Sequence, residues 1–308
     1  MSYQERSLGA YVNLQHLAGY QLAARYLPLR KNNRALSHLS GPYQTQIRGR
    51  GMEFEDVRLY QPGDDIRTID WRVTARTGKA HTKQFREERE KPVLVVVDQR
   101  QSMFFASHCA MKSVLAADFA AYIAWAALHK GDRVGGLIFN NQGHEEIRPR
   151  RQRKTVLQLL FQLSRYNQLL SSREAEPERP LNQILQELKR ITKPGTQVFF
   201  ISDFHDLDES SSALLHDLVR HNEIVALQIY DELEQQLPSR GLYLASNGHQ
   251  QQLLDSNNKA LQKNYHDTFA QRQQQLKALL GKFQIPCIPV TTQQAPLAVL
   301  QQYFGGKP

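Results

Sequence analysis

Five apolar residues in a row, Val93-Leu94-Val95-Val96-Val97, run without a polar interruption into Asp98. A strand that faces water on one side alternates apolar with polar residues, so an unbroken run belongs in a sheet covered on both faces. The chain that follows supplies the covering helices. Residues 109–130 read as a long helix, with Met111, Leu115, Phe119, Tyr122 and Trp125 spaced as its core-facing side. Gly131-Asp132-Arg133 then turns the chain into a second strand at 134–139, and the tight-turn sequence at 140–143 leads to a short edge strand at 145–148. Helices at 154–166, 182–191, 210–221, 259–283 and 297–304 alternate with strands at 197–202, 224–230 and 285–290. A hairpin insert at about 238–258 carries Asn247-Gly248 at its tip. The helix at 259–283 has one apolar stripe, Leu261, Tyr265, Phe269, Leu276, Leu280 and Phe283, which is expected to cover the sheet. Such alternation implies an α/β fold, a doubly wound and mostly parallel sheet with right-handed crossovers, whose ligands bind beyond the carboxyl ends of the strands.

Two segments precede this domain of residues 91–308. Residues 1–44 place Leu8, Tyr11, Leu14, Leu17, Tyr20 and Leu22 at rough helical spacing and read as an N-terminal helical segment. Residues 45–90 form a charged module. The whole chain has 308 residues, 41% hydrophobic and 22% charged, which excludes wholesale disorder. Its two cysteines, Cys109 and Cys287, exclude a disulfide scaffold or a cysteine-rich zinc site and fit a reducing, cytoplasmic compartment. The longest apolar stretch, 114–128, contains Asp118 and is shorter than the ~20 residues of a membrane span. The opening residues lack the layout of a signal peptide, so a cytoplasmic chain without an integral membrane segment is expected.

Three strands end in polar residues: Asp98-Gln99-Arg100-Gln101-Ser102, Asn140-Asn141 and Ser202-Asp203. Carboxylates at neighbouring strand ends can hold a hard cation such as Mg²⁺, and Asp98, Ser102 and Asp203 are the candidate ligands. In the charged module Asp64, Asp65 and Asp70 interleave with Arg58, Arg67, Arg72 and Arg76. Interleaving of this kind points to internal ion pairs, with Pro62-Gly63-Asp64 as a turn and Trp71 as an apolar anchor; the other reading is a partner surface. A hydrolase can be built on Asp64, Asp65 and Asp70, or on a His81–Asp70 dyad. Arginine neighbours, however, lower carboxyl pKa values, the wrong direction for a general acid. Gly-x-Ser-x-Gly, His-Glu-x-x-His, Gly-x-x-x-x-Gly-Lys and Gly-x-Gly-x-x-Gly are all absent from the sequence.

Asp98-x-Arg100-x-Ser102 resembles the Asp-x-Ser-x-Ser start of the metal-ion-dependent adhesion site in von Willebrand factor A-like domains, with Ser202-Asp203 matching its later strand end. The stretch from Arg50 to Arg58, with Glu53 inside it, and Tyr60-x-Pro62-Gly63-Asp64-Asp65-x-Arg67-x-Ile69-Asp70-Trp71, followed by Arg76, resembles the signature of the domain of unknown function number 58 family. The resemblance covers about residues 45–300. It implies an A-like domain behind the signature module and an association with MoxR-type AAA+ ATPases. The implied function is non-enzymatic: an adaptor or chaperone-like partner of such an ATPase that grips a client protein or the ATPase itself through Asp98, Arg100, Ser102, Asp203 and Asn140.

Two departures from the family site stand out. Arg100 replaces its first serine, and the loop 178–182, where a threonine ligand is expected, has no hydroxyl. A guanidinium is always protonated and repels a neighbouring cation, so Arg100 disfavours Mg²⁺ and no cofactor is expected. Arg100 is expected to replace the metal by pairing with Asp98, Asp203 or both, and to receive a partner carboxylate. If Arg100 instead points to solvent, the Asp98, Ser102 and Asp203 site remains. A separate run, Arg148, Arg150, Arg151, Arg153 and Lys154, offers a nucleic-acid or acidic-surface contact, or else a solvated charge run. No aromatic residue interleaves it to stack on bases.

Overall fold

The computed structural model describes residues 7–29, 53–61, 64, 66, 69–86, 90–170, 179–238, 241–246 and 251–305. The chain divides into two compact units: one comprises Met1–Tyr43 with Lys91–Pro308, the other Gln44–Glu90. The first unit begins with an N-terminal segment bearing the short helix α1 (Leu14–Gly19) and a single 3₁₀ turn at Ala23–Tyr26. In the second unit β1 (Glu53–Leu59) precedes α2 (Trp71–Thr77), and β2 (His81–Arg86) pairs antiparallel with β1. Asp70 caps α2, its Oδ1 accepting from the N–H groups of Arg72 and Val73, and Gly78 ends the helix at φ +69°.

The first unit continues with β3 (Pro92–Asp98), α3 (Lys112–His129), β4 (Arg133–Phe139), β5 (His144–Arg150), α4 (Arg153–Gln168), α5 (Leu181–Ile191), β6 (Gln197–Ser202), α6 (Ser212–Val219), β7 (Glu223–Tyr230) and α7 (Glu232–Gln235). The insert hairpin β8 (Leu242–Ser246) and β9 (Gln251–Asp255) follows, then α8 (Lys259–Lys282), β10 (Cys287–Thr291) and α9 (Pro296–Phe304). The six-stranded sheet has the order β10-β7-β6-β3-β4-β5, parallel except for β5. The unbroken run of β3 therefore lies between two partners, and its residues from Val93 onward are all buried. β5 is an edge, where Pro149 removes no needed donor and the charged residues discourage further pairing. At Gly135 a Cβ would collide with the Ile147 carbonyl and lie 2.7 Å from the Pro149 nitrogen, so only glycine lets β5 approach this closely.

The expected single core-facing side of α3 is only part of its burial: Lys112 to Ala127 are all buried. The reason is the N-terminal segment, which lies over the helix. Trp125 Nε1 donates to the Leu17 carbonyl at 3.1 Å, Tyr20 stacks on Tyr122 at 4.2 Å, and the Ser7 hydroxyl donates to the buried Asp118 carboxylate. The described part of the segment is thus a strap with two short helical turns, packed in the same unit as the sheet. The stripe on α8 covers the sheet only near its end, where Leu276, Leu279 and Leu280 are buried. Leu261, Tyr265 and Phe269 are half-buried; the Tyr265 hydroxyl bonds the Leu233 carbonyl and Phe269 packs on Tyr230. The hairpin tip at Asn247-Gly248 lies outside the described residues. Among the described residues no helix is long and apolar enough to cross a membrane. Both cysteines are free thiols, and burial pushes Cys287 up to about 12.

Candidate functional site at the strand ends

β3 delivers Asp98 to the carboxyl edge of the sheet, and the chain reverses immediately. The Arg100 N–H donates to Asp98 Oδ1 at 2.9 Å, a local turn that swings the guanidinium back over the carboxylate. Arg100 Nε then donates to both Asp98 oxygens at 3.1 Å, and Nη2 donates to Oδ2 at 2.9 Å. Nη1 reaches the Arg179 carbonyl and Asp206 Oδ1, each at 3.0 Å, and Nη2 lies 3.8 Å from Asp203 Oδ1. The Phe139 ring, 5.7 Å away, closes one face of the guanidinium. Arg100 is 0% exposed.

β6 contributes the neighbouring groups. The Ser202 hydroxyl donates to Asp98 Oδ2 at 2.7 Å and accepts from the Phe204 N–H at 3.0 Å. Phe204 adopts φ +53°, a left-handed conformation that is costly for a residue with a side chain. Asp203 Oδ1 faces the His205 N–H at 3.3 Å and Nδ1 at 3.0 Å, while Oδ2 accepts from Lys112 Nζ at 3.1 Å. Lys112, buried at the start of α3, also donates to Glu234 Oε1 at 2.7 Å. Glu234 belongs to α7, where its Oε2 accepts from the Asp231 N–H and Asp231 Oδ1 accepts from the Leu233 N–H, a capping box. Asp231 Oδ2 in turn accepts from the Ser107 N–H and the Thr292 hydroxyl. Asp206 Oδ2 accepts from the Leu181 N–H at the start of α5. The loops after β3, β6 and β7 are therefore joined through side-chain charges.

The electrostatics follow from burial set against pairing. Burial works against charge on Asp203, yet Lys112, His205 and Arg100 outweigh it and hold the carboxyl well below the usual range. Burial pushes Asp98 up, with Arg100 opposing and Asp203 adding to the shift. For Lys112, burial disfavours the ammonium, but Asp203 and Glu234 more than offset that and raise its pKa. The same balance, led by Asp98 on the favourable side, keeps Arg100 cationic.

Of the sequence-predicted residues, Asp98, Arg100 and Asp203 come together. Ser102 sits half-buried in a 3₁₀ turn at Gln101–Met103. Asn140 closes the β4–β5 turn, its Oδ1 accepting from the Gln142 and Gly143 N–H groups, and it is Asn141 that bonds the β3 loop through the Gln101 N–H. Two expectations for Arg100 are corrected. It does not point to solvent, and a partner carboxylate cannot reach a guanidinium with no exposed surface whose donors already face Asp98, Asp206 and a carbonyl. Nor do Asp98, Ser102 and Asp203 fit a divalent cation, because all four oxygens of the two aspartates already accept hydrogen bonds, three of them from Arg100 or Lys112 and the fourth from His205. Lys112, His205, Asp206 and Glu234 escaped the sequence reading. The one sequence signal for Lys112 is a lone cation opening an otherwise apolar helix.

The charged module is held by its own contacts. Arg58 Nη2 pairs with Asp64 Oδ1 at 2.7 Å and lowers the Asp64 pKa. The Asp70 carboxylate caps α2, and His81 Nδ1 lies 2.6 Å from the Lys79 carbonyl and 3.1 Å from the Thr77 hydroxyl, so these contacts place Asp70 at a helix cap and His81 at a turn. Trp71, expected as an anchor, is 67% exposed, and Arg76 is exposed as well. Pro62, Gly63, Asp65 and Arg67 lie outside the described residues, as does the side chain of Glu53. Arg148, Arg150, Arg151, Arg153 and Lys154 are all exposed. Because β5 runs antiparallel and Arg150 pairs with Val134, this run begins at the opposite end of the sheet from Asp98.

Known proteins resemble this chain in sequence and in shape. The uncharacterized protein Rv1480 of Mycobacterium tuberculosis and the uncharacterized protein Mb1516 of Mycobacterium bovis are each 31% identical over 219 residues, 71% of this chain and 68% of the relative. Among solved structures, a conserved hypothetical protein, BatB from Bacteroides thetaiotaomicron, aligns at TM-score 0.40 and 13% identity over 68% of this chain and 95% of its own. The SpRpn10 VWA domain aligns at TM-score 0.39 and 9% identity over 71% and 100%. The family described as "Protein of unknown function DUF58" matches residues 56–275. That match spans well over half of the chain and takes in most of the charged module and five of the six strands of the large sheet: the protein belongs to the DUF58 family.

Proposed function

We propose that this chain is a non-enzymatic protein-interaction module of the cytoplasm, an adaptor or chaperone-like partner of a MoxR-type AAA+ ATPase, and that its gripping surface is the strand-end crown. One observation carries the reading: the charged groups of three loops are spent on one another, Arg100 on Asp98 and Asp206 and Lys112 on Asp203 and Glu234. Carboxylates held this way make a rigid docking surface and poor proton donors. Arg100 takes the metal's place within the crown. The exposed side chains around the crown that a partner can reach are Phe105, Asp208 and Glu232.

The test is affinity purification of the tagged protein from its native host in nuclease-treated lysate with Mg²⁺ and ATP, with bound proteins identified by mass spectrometry. A co-purifying MoxR-type ATPase, lost in a Phe105→Ser/Glu232→Lys variant that still folds, is the expected result. Failure to recover any AAA+ ATPase would overturn the reading. The exposure of all five cations from Arg148 to Lys154 favours a second one, in which that face contacts nucleic acid or an acidic partner. Oligonucleotide binding that weakens steeply with salt and is lost on reversing these charges would promote it.

A further inference from the structure

Two cations, not one, neutralise the strand-end carboxylates, and they come from different elements. Arg100 arises from the loop after β3 and Lys112 from the start of α3, and both side chains are at most 1% exposed. Between them they meet Asp98, Asp203, Asp206 and Glu234. Each carboxylate belongs to a different part of the crown: the end of β3, the end of β6, the loop that meets α5, and α7. A bridging divalent cation would do the same work, drawing oxygen ligands from separate loops into one arrangement.

We propose that Arg100 and Lys112 together act as a built-in, permanent counterpart of a bridging cation, so that the crown is assembled constitutively and is indifferent to divalent metals and chelators. Lys112 is the second positioning residue of the surface. It joins Asp203 to Glu234, and through the Glu234–Asp231 capping box it fixes the root of the insert that follows β7. The physical basis is a closed charge set. Removing a buried carboxylate from water is unfavourable unless its charge is met at short range, and here fixed side chains meet Asp98 and Asp203 at 2.9 and 3.1 Å. A divalent ion entering beside two fixed cations would lose more to repulsion than oxygen ligation returns. Taking both cations away reverses that balance, leaving buried oxygen ligands with no counter-charge, the chemistry that attracts Mg²⁺ or Mn²⁺.

This inference deepens the interaction reading by stating how the surface is kept in register, but its test uses the isolated chain and no partner. Full-length wild-type protein, Lys112→Gln and Arg100→Ser/Lys112→Gln are titrated with Mn²⁺, following free Mn²⁺ by electron paramagnetic resonance and unfolding temperature in Mg²⁺, Mn²⁺ or EDTA. The wild type is expected to bind no stoichiometric Mn²⁺ and to unfold at the same temperature in all three conditions. The double variant is expected to be less stable and to bind Mn²⁺ at least about tenfold more tightly than wild type, with its unfolding temperature raised by the ion. Stoichiometric Mn²⁺ binding by the wild type, or a folded double variant with no gain in Mn²⁺ binding, would overturn the proposal. Should the double variant not fold, the wild-type titration and the chelator insensitivity of Lys112→Gln still decide it. Failure of this test leaves the ATPase purification untouched, and failure of the purification leaves this one untouched.

Discussion

Replacing Arg100 with methionine keeps most of the side-chain volume and removes the charge, so its cost can be worked from the contacts. The loss strips Asp98 of the fork at 2.9 to 3.1 Å and leaves it with the Ser202 hydroxyl and one backbone N–H. Breaking a buried pair by removing one partner costs about 3–5 kcal/mol. A ceiling follows from proton chemistry, because the abandoned carboxyl can take up a proton instead. Each pH unit above an ordinary carboxyl value near 3.9 adds about 1.4 kcal/mol to that escape, about 4 kcal/mol at pH 7 and about 1.5 at pH 5. The cost of Arg100→Met should therefore shrink by more than half between pH 7 and pH 5. Lys189→Met is the control. Lys189 and Asp217 approach to 2.6 Å, closer than the fork, but their side chains are 52% and 45% exposed, so water screens that pair and its loss should change stability little at either pH.

Urea denaturation followed by tryptophan fluorescence in a Trp71→Phe background makes the buried Trp125 the reporter of the sheet unit. Asp98→Asn combined with Arg100→Met should recover at least about 2 kcal/mol relative to the sum of the single changes. If Arg100→Met costs no more than Lys189→Met, or if its cost is unchanged at pH 5, the Asp98–Arg100 fork is not what holds the crown.

Three further outcomes are expected. Asn167 is buried, accepting from the Val12 N–H at 2.7 Å and donating to Gln99 Oε1 at 2.9 Å; Asn167→Leu orphans both, should cost about 2–4 kcal/mol in the same assay, and should expose the strap to limited proteolysis. Asp203 is held low in the folded chain, so its contribution is complete above the unfolded value near 3.9 and is lost progressively as pH falls below that value. Asp203→Asn should lower stability at pH 7 and make the acid limb of the stability profile shallower; an unchanged limb would contradict the assignment. In β4, Gly135→Ala should cost more than Gly136→Ala, since the first collides with the backbone of β5 and the second with the movable end of Leu159; equal thermal shifts would refute that ranking.

What could be read in advance was whatever the chain states locally. The run ending at Asp98, the glycine turn at 131 and the apolar runs of β6 and β7 carry their own periodicity, and each element formed within a few residues of expectation. The burial of α3 on every side was not legible in this way, because the strap that covers it lies about a hundred residues earlier and is itself only half apolar. The same holds for the site. Asp98 and Arg100 are two residues apart, so a fork between them is a local event that spacing can suggest. Lys112 meets Asp203 across 91 positions and Glu234 across 122, and no motif records those meetings. A lone lysine opening a helix whose next fifteen residues are buried is nonetheless a physical anomaly, since ammonium groups are almost never buried without a partner. Burying α3 also brings carboxylates to Lys112, and among the described residues β3, β6 and β7 are the parallel strands whose carboxyl ends run into an aspartate. The second cation of the crown thus follows from topology once the sheet is known, and from nothing shorter.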